Sequence, residues 1–136
     1  MYGGNGFTQY QFVIPKVAGK EGLTEILAAI AESKQGSFLA VLKVFGEGNK
    51  NHLSFPMEGY TLALDFKLND KLFALLDRLD IIVRKYEGRL YLSKDVRMSE
   101  EMFKAGYPQW EEFQALRKEY GADELYHSLQ SKRIGL

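Results

Sequence analysis

Two lysines are the first candidates for chemistry in this sequence. Lys43 lies within an apolar run at positions 38–45, and Lys94 follows a shorter run with strand character at 89–92. A lysine in apolar company is typical of a small-molecule pocket or a partner surface, whereas a lone lysine on a wet sheet face is usually solvated. By spacing alone, Lys94 is an ordinary cation at a strand end that pairs with its neighbour Asp95.

Other residue types that support catalysis are few. The chain has no cysteine, which excludes disulfides and thiolate metal sites, and its two histidines argue against a histidine-rich metal site. Neither His52 nor His127 has a nucleophile or carboxylate at a spacing typical of a catalytic triad. Gly46 and Gly48 lack the third glycine and following helix of a dinucleotide fingerprint. We therefore expect no metal, and the residues alone predict no particular reaction.

Charge and length limit the class of protein. The 136 residues carry 18 basic and 18 acidic side chains, so the formal net charge is zero. This balance argues against general phosphate binding to nucleic acid and against a polybasic membrane surface. No apolar run is long enough to span a membrane and no signal peptide is visible, so we expect a cytoplasmic protein. We expect a flexible lead-in at 1–8 and a single domain at 9–136.

Alternation and helical periodicity predict the elements that position the candidate residues. Strand character is found at 9–14, 38–45, 60–66 and 89–92. Apolar stripes of helical spacing begin at Leu23 and Leu72, and polar helical segments follow the last strand. This order predicts a ferredoxin-like α+β fold, βαββαβ, in which an antiparallel sheet has its helices on one face and is followed by C-terminal helices. The strand at 38–45 is nearly all apolar, so both its faces are expected to be buried.

The sheet face without helices is the candidate site. Alternation along the first three strands places polar and apolar residues together on this face: Gln11, Lys43, Thr61, Ala63, Leu39, Val41 and Phe45. The connection at 46–59 is long for a hairpin, and loops of this length are often functional. The face is typical of a small-molecule pocket or of a partner surface.

Several segments carry a resemblance to a known family. They lie at 9–15, 38–49, 53–60, 88–95 and 131–136, with Arg97 following the fourth. Together they resemble the C-terminal, substrate or cap, region of FAD-linked oxidases of the vanillyl-alcohol oxidase superfamily, and within it the decaprenylphosphoryl-β-D-ribose 2-oxidase type. The resemblance covers almost the whole chain.

The resemblance implies a function and a role for each candidate residue. Lys94 matches a catalytic lysine beside both flavin and substrate, Gln11 and Lys43 match polar pocket residues, and Leu39, Val41 and Phe45 match the apolar wall of the pocket. Thr61 stands where the closest relatives carry asparagine and Ala63 where some carry cysteine, so the resemblance does not define the substrate. The implied activity is oxidation of a sugar-like or other alcohol by hydride transfer to FAD. The FAD is held mainly by a separate domain or subunit, without which this part would be inactive.

A second hypothesis belongs to another class. The same fold would suit a non-catalytic module that binds a small ligand or forms a homodimer through its open sheet face. A dimer would cover Leu39, Val41 and Phe45 without any flavin.

Overall fold

The computed structural model describes residues 6–136, which form a four-stranded antiparallel sheet in the order β2–β3–β1–β4. The strands are β1 (Phe7–Pro15), β2 (Leu39–Phe45), β3 (Gly59–Lys67) and β4 (Arg89–Leu90). Helix α1 (Gly19–Ser33) joins β1 to β2, and helix α2 (Leu72–Lys85) joins β3 to β4. The order of elements and the pairing of the strands confirm the predicted ferredoxin-like α+β fold.

The chain after β4 is helical, as predicted. A short 3-10 turn at Leu92–Lys94 is followed by the helices α3 (Glu100–Gly106), α4 (Trp110–Glu119), α5 (Ala122–Leu125) and α6 (Leu129–Arg133). The starts of α3 and α6 are fixed by side-chain caps from Ser99 and Ser128. Within residues 6–136, no helix is both long and apolar enough to cross a membrane.

The core lies between one face of the sheet and the helices α1 and α2. Alternate residues of β1 and β3 point toward the helices and are buried: Tyr10, Phe12, Ile14, Leu62, Leu64 and Phe66. They meet the buried stripe of α2, which consists of Leu72, Leu75, Leu76, Leu79, Ile82 and Val83. Each such side chain contributes about 1.5–3 kcal/mol when it leaves water. The opposite residues of β1 and β3 are thereby directed to the open face.

Strand β2 differs from the prediction. Its apolar sequence predicted burial on both faces, but Leu42 and Val44 are 56% and 65% exposed on the helix side, and Leu39 is 51% exposed on the open side. The reason is that β2 is the edge strand, while α1 and α2 pack against each other and against β1. The prediction of burial is wrong for the described chain, which presents an apolar edge.

The limits of β1 and β4 also differ from the prediction. Strand β1 begins at Phe7, inside the segment expected to be a flexible lead-in, and Thr8 is already buried. Positions 1–5 of that lead-in lie outside the described residues. Strand β4 was expected at 89–92 but ends at Leu90, after pairing only with Phe12 and Val13. The chain then turns away from β1 and leaves a crevice beside it.

A buried polar network joins β1, α2 and the segment after β4. The Tyr10 hydroxyl donates to Asp80 Oδ1 at 2.9 Å, and Arg97 Nη2 lies 2.7 Å from Asp80 Oδ2. Arg97 Nη1 also donates to Asp77 Oδ1 at 2.7 Å. Burial raises the pKa of the Asp80 carboxyl despite the nearby Arg97, and burial followed by the charge of Asp80 raises the pKa of Tyr10. The network fixes Arg97, and with it the segment that carries Lys94.

Gly59 is required where β3 leaves the long loop and passes between Pro15 and Phe45. A Cβ at Gly59 would lie 2.1 Å from the carbonyl oxygen of Ile14, whereas a Cβ at Gly46 would meet no described atom within 4 Å. We expect Gly59→Ala to lower the free energy of unfolding by roughly 1–3 kcal/mol, because the central strands must separate to admit the methyl group.

The matched control is Gly46→Ala, which should leave stability unchanged or raise it by up to about 1 kcal/mol. Chemical denaturation of the two variants measures the difference. Equal stability of both would contradict the close approach at Gly59.

Candidate functional site

The open face brings together most of the residues selected from the sequence. The ladder sets Gln11, Ala63 and Val41 in one row across β1, β3 and β2, and it sets Thr61 beside Lys43 in the next row. Gln11 Nε2 donates to Thr61 Oγ1 at 3.2 Å. Thr61 is buried and Gln11 is half-buried, while Lys43 is exposed. The residues that strand alternation placed on one face are therefore neighbours in the structure.

The rows on either side extend this surface. Leu39 lies beside Asp65, whose Oδ1 accepts a hydrogen bond from Gln9 Nε2 at 2.7 Å. Phe45 lies beside Gly59 at the opposite end. The central strands thus carry two hydrogen-bonded polar pairs, Gln9–Asp65 and Gln11–Thr61, next to an apolar edge. Gln9 and Asp65 lie on this face by the same strand alternation, but neither is among the site residues predicted from the sequence.

Three aromatic side chains close one end of the face. Only one of them, Phe45, is among the site residues predicted from the sequence. The Phe55 ring is buried and stacks on Tyr91 with centroids 4.5 Å apart, while Phe45 meets Phe55 edge-on at 5.8 Å. Phe55 belongs to the long connection at 46–58, where a large apolar residue in a mostly polar loop was the available signal. We call Phe45, Phe55 and Tyr91 the aromatic wall.

Contacts from β4 and α4 hold the long loop against the sheet. Arg89 Nη1 donates to the Ser54 carbonyl at 2.9 Å, and the guanidinium of Arg89 also lies over the Tyr107 ring at 5.3 Å. Burial lowers the pKa of this guanidinium. His52 Nε2 lies 3.4 Å from Glu112 Oε2 on α4. The loop is therefore attached at Ser54, directly before Phe55, and at His52, three residues before it. Both contacts help to keep the Phe55 ring in the wall.

Lys94 is the last residue of the 3-10 turn after β4, on the side of β1 that faces away from β3. Its backbone N–H donates to the Tyr91 carbonyl at 3.0 Å, and the residue lines a crevice beside β1 that residues from both faces of the sheet share, among them Gln11 and Tyr10. The crevice has a volume of only about 10 Å³, the space of one water molecule. Lys94 is exposed and forms no ion pair with any other described residue. Its ammonium is thus not engaged in an ion pair with the described residues, and the residue itself lies at the edge of the sheet beside β1.

The expected pairing of Lys94 with Asp95 is wrong. The Asp95 carboxylate is 4% exposed and forms an ion pair with Arg133 of α6 instead. Its Oδ1 accepts the backbone N–H groups of Arg97 at 3.0 Å and Met98 at 2.7 Å, and its Oδ2 accepts from Gln130 Nε2 at 3.3 Å. We call this set of contacts the Asp95 clasp. Because all its acceptor capacity is used by other donors, Asp95 leaves Lys94 unpaired.

Lys43 and Lys94 lie on opposite sides of the Gln11–Thr61 pair. Lys43 belongs to the edge strand β2, and Lys94 follows β4 at the other edge, with β3 and β1 between them. The cavity that includes Lys94 does not include Lys43. Among the described residues, no cluster of His, Cys, Asp or Glu could hold a metal ion. The arrangement suits a ligand that lies across the sheet and meets a cation at each end.

The Asp95 clasp should contribute measurably to stability. Replacing Asp95 with alanine removes the ion-pair partner of Arg133 and the acceptor of two part-buried backbone N–H groups, so we expect Asp95→Ala to cost roughly 2–4 kcal/mol. Glu101→Ala, which removes an exposed ion pair with Arg84, is the control and should cost at most about 1 kcal/mol. Urea unfolding compares the two. A cost for Asp95→Ala no larger than that of the control would show that the clasp is dispensable.

Comparison with known proteins adds a family relationship to this geometry. No family model matches the chain. The chain is 39% identical over 135 residues to decaprenylphosphoryl-β-D-ribose oxidase of Mycolicibacterium smegmatis, an alignment that covers 99% of the chain and 29% of that protein. It is also 33% identical over 115 residues to an uncharacterized protein of Streptomyces coelicolor encoded in the mprA 5′ region, covering 84% of the chain and 31% of that protein.

The chain therefore spans about 30% of the length of the curated relatives it matches. The predicted resemblance is confirmed: over almost its whole length, the chain is similar to a segment of an FAD-linked oxidase.

Proposed function

We propose that residues 9–136 are the substrate-side, or cap, domain of an FAD-dependent oxidoreductase that oxidises a sugar-like or other alcohol. Similarity to an FAD-linked oxidase supports an oxidoreductase-related domain. The observation that carries the proposal is the unpaired Lys94 at the rim of a face with two fixed polar pairs and an aromatic wall. Such a face combines apolar contact area with a few oriented polar groups, as small-molecule sites do.

The chain can provide only one side of a flavin site. The crevice at Lys94 is far too small to enclose an isoalloxazine ring, so FAD would lie against this face and be held mainly by another domain or subunit. The donor set fits this role, because a lysine ammonium beside the ring favours negative charge on it. Bound FAD would supply the hydride acceptor for oxidation of the carbinol carbon to a carbonyl, and the hydroxyl proton would pass to solvent water.

The remaining residues define what kind of alcohol would fit. Gln11, which is oriented by the buried Thr61, and Lys43 offer hydrogen bonds to substrate hydroxyl groups, and Leu39 and Val41 offer an apolar surface on the same face. Ala63 lies in the row of Gln11 and leaves space above the sheet for substrate atoms. A substrate with several hydroxyl groups and an adjacent apolar portion matches this distribution. Phe45 and the rest of the aromatic wall would contact its ring or chain.

The proposal is tested by supplying the missing flavin-binding part. Co-expression with a neighbouring reading frame that encodes an FAD-binding domain, if the two form one enzyme, should yield a yellow complex with the visible absorbance of bound flavin. Expression of a longer polypeptide serves the same purpose if the chain is a segment of one. A complex that retains no flavin would contradict the proposal.

Lys94 and Lys43 should have separable effects in that flavoenzyme. We expect Lys94→Met to slow anaerobic flavin reduction by an alcohol substrate at least about tenfold, because the positive charge at the ring is lost. Lys43→Met should mainly weaken substrate binding, since Lys43 lies at the opposite end of the face.

The control is Lys20→Met, which removes an exposed lysine at the start of α1. Stopped-flow absorbance at several substrate concentrations separates binding from reduction. Wild-type behaviour in both Lys94→Met and Lys43→Met would refute the site assignment.

A second candidate function is supported by the exposed side chains of β2. Leu39 is 51% and Val41 36% exposed on the open face, and apolar edge strands tend to associate. A non-catalytic module that forms a homodimer through this face would cover both residues.

In that case the purified chain is dimeric, and Val41→Glu converts it to a monomer because a carboxylate would be buried at the interface. Val17→Glu, at a residue 93% exposed in the 3-10 turn before α1, should leave the dimer intact. Light scattering measures the mass of each. A monomeric wild-type chain would exclude this candidate.

A further inference from the structure

One side chain of the C-terminal helix α6 binds the chain on both sides of Lys94, at a backbone carbonyl before it and at a carboxylate after it. Gln130 Nε2 donates to the Leu92 carbonyl at 2.7 Å and to Asp95 Oδ2 at 3.3 Å. Leu92 begins the 3-10 turn that Lys94 ends, and the Asp95 N–H closes that turn on the Leu92 carbonyl at 3.3 Å. Gln130 therefore binds the first residue of the turn and the residue directly after Lys94.

Arg133 of the same helix makes different contacts, all of them with residues after Lys94. Its guanidinium pairs with the Asp95 carboxylate and donates to the carbonyls of Val96 at 2.9 Å and Met98 at 3.2 Å. These contacts compensate a buried charge and satisfy carbonyls that follow the turn. Gln130 is neutral, and it alone of the two contacts the turn itself. Loss of Gln130 thus leaves the buried charge paired with Arg133, while the Leu92 carbonyl loses the shorter of its two hydrogen bonds and keeps the one from the Asp95 N–H.

The Lys94 side chain has no other restraint among the described residues. It is exposed and forms no ion pair, so the turn that carries its Cα determines where its flexible stem begins and which part of the face the ammonium can reach. A lysine ammonium on a flexible stem acts as a point charge, and its effect on a reacting group falls steeply with distance. Misplacement of a catalytic group by about 1 Å can cost as much as a hundredfold in rate.

We propose that Gln130 is a positioning residue for Lys94: its two hydrogen bonds fix the turn so that the ammonium meets the flavin and substrate beside Gln11. This inference rests on the proposed function, because it needs Lys94 to act at the flavin. A purely structural tether would make the same contacts, but it would change stability without acting through Lys94. The two roles are separated by whether the effect of Gln130 on the reaction depends on Lys94.

The test is a double-mutant cycle in the flavoenzyme that contains this chain, with Lys94→Met, Gln130→Met and the double variant. We expect Gln130→Met to slow flavin reduction about tenfold while the substrate dissociation constant stays within about threefold of wild type, since only the position of Lys94 changes. In the Lys94→Met background, Gln130→Met should have no further effect on reduction. Gln109→Met, at an exposed glutamine before α4, is the control and should react as wild type.

Each result decides between the possibilities. If Lys94→Met is slow and Gln130→Met is as fast as wild type, the inference fails while the proposed function stands. Independent, multiplying effects of the two substitutions would mean that Gln130 does not act through Lys94, which also overturns it. A Lys94→Met enzyme with wild-type reduction removes both the proposed function and the inference. If Gln130→Met does not fold, Gln130→Asn replaces it in the cycle, because the shorter amide keeps the polarity but cannot span from Leu92 to Asp95.

Discussion

The structure around the candidate site depends on one buried carboxylate. Asp95 is almost inaccessible to water, and a buried charge of this kind is tolerated only when it is paired and hydrogen-bonded. Its donors come from two directions: the N–H groups of the residues just after it and the side chains of Gln130 and Arg133 on α6. The last helix of the chain thereby becomes part of the site, although it contributes no residue to the open face.

The early end of β4 brings Asp95 to this position. A longer strand would have continued along β1 and directed the following side chains alternately to the two faces of the sheet. Instead, the Tyr91 N–H makes a last bond to the Gln11 carbonyl at 2.9 Å, and the chain turns so that Asp95 can reach α6. The lost pairing leaves the crevice beside β1 that Lys94 and Gln9 line. Tyr91, at the point of departure, is held by Phe55.

Whether a contact of the site could be predicted depends on how far apart its residues lie in the sequence. Alternation within β1 and β3 was enough to place Gln11 and Thr61 on one face, because side-chain direction in a strand is a local property. The ion pair between Asp95 and Arg133 joins residues 38 positions apart, and an aspartate next to a lysine has no local feature that reveals such a partner. The burial of β2 was predicted wrongly for a related reason. An apolar run predicts that a strand packs against another element, but it does not show whether that element is a helix of the same domain.

The exposed edge and the candidate site are parts of one surface. Val41 and Lys43 alternate with Leu42 and Val44 along β2, so any partner that covers the edge also determines what surrounds Lys43. A second copy lying flat on the open face would cover Val41 and close access to Gln11, whereas a partner that reaches β2 from its free edge would leave the face open. Only the second arrangement is compatible with a ligand that touches both lysines. Whether a partner binds β2 on the open face or at its free edge therefore decides between the dimerisation module and the flavoenzyme domain.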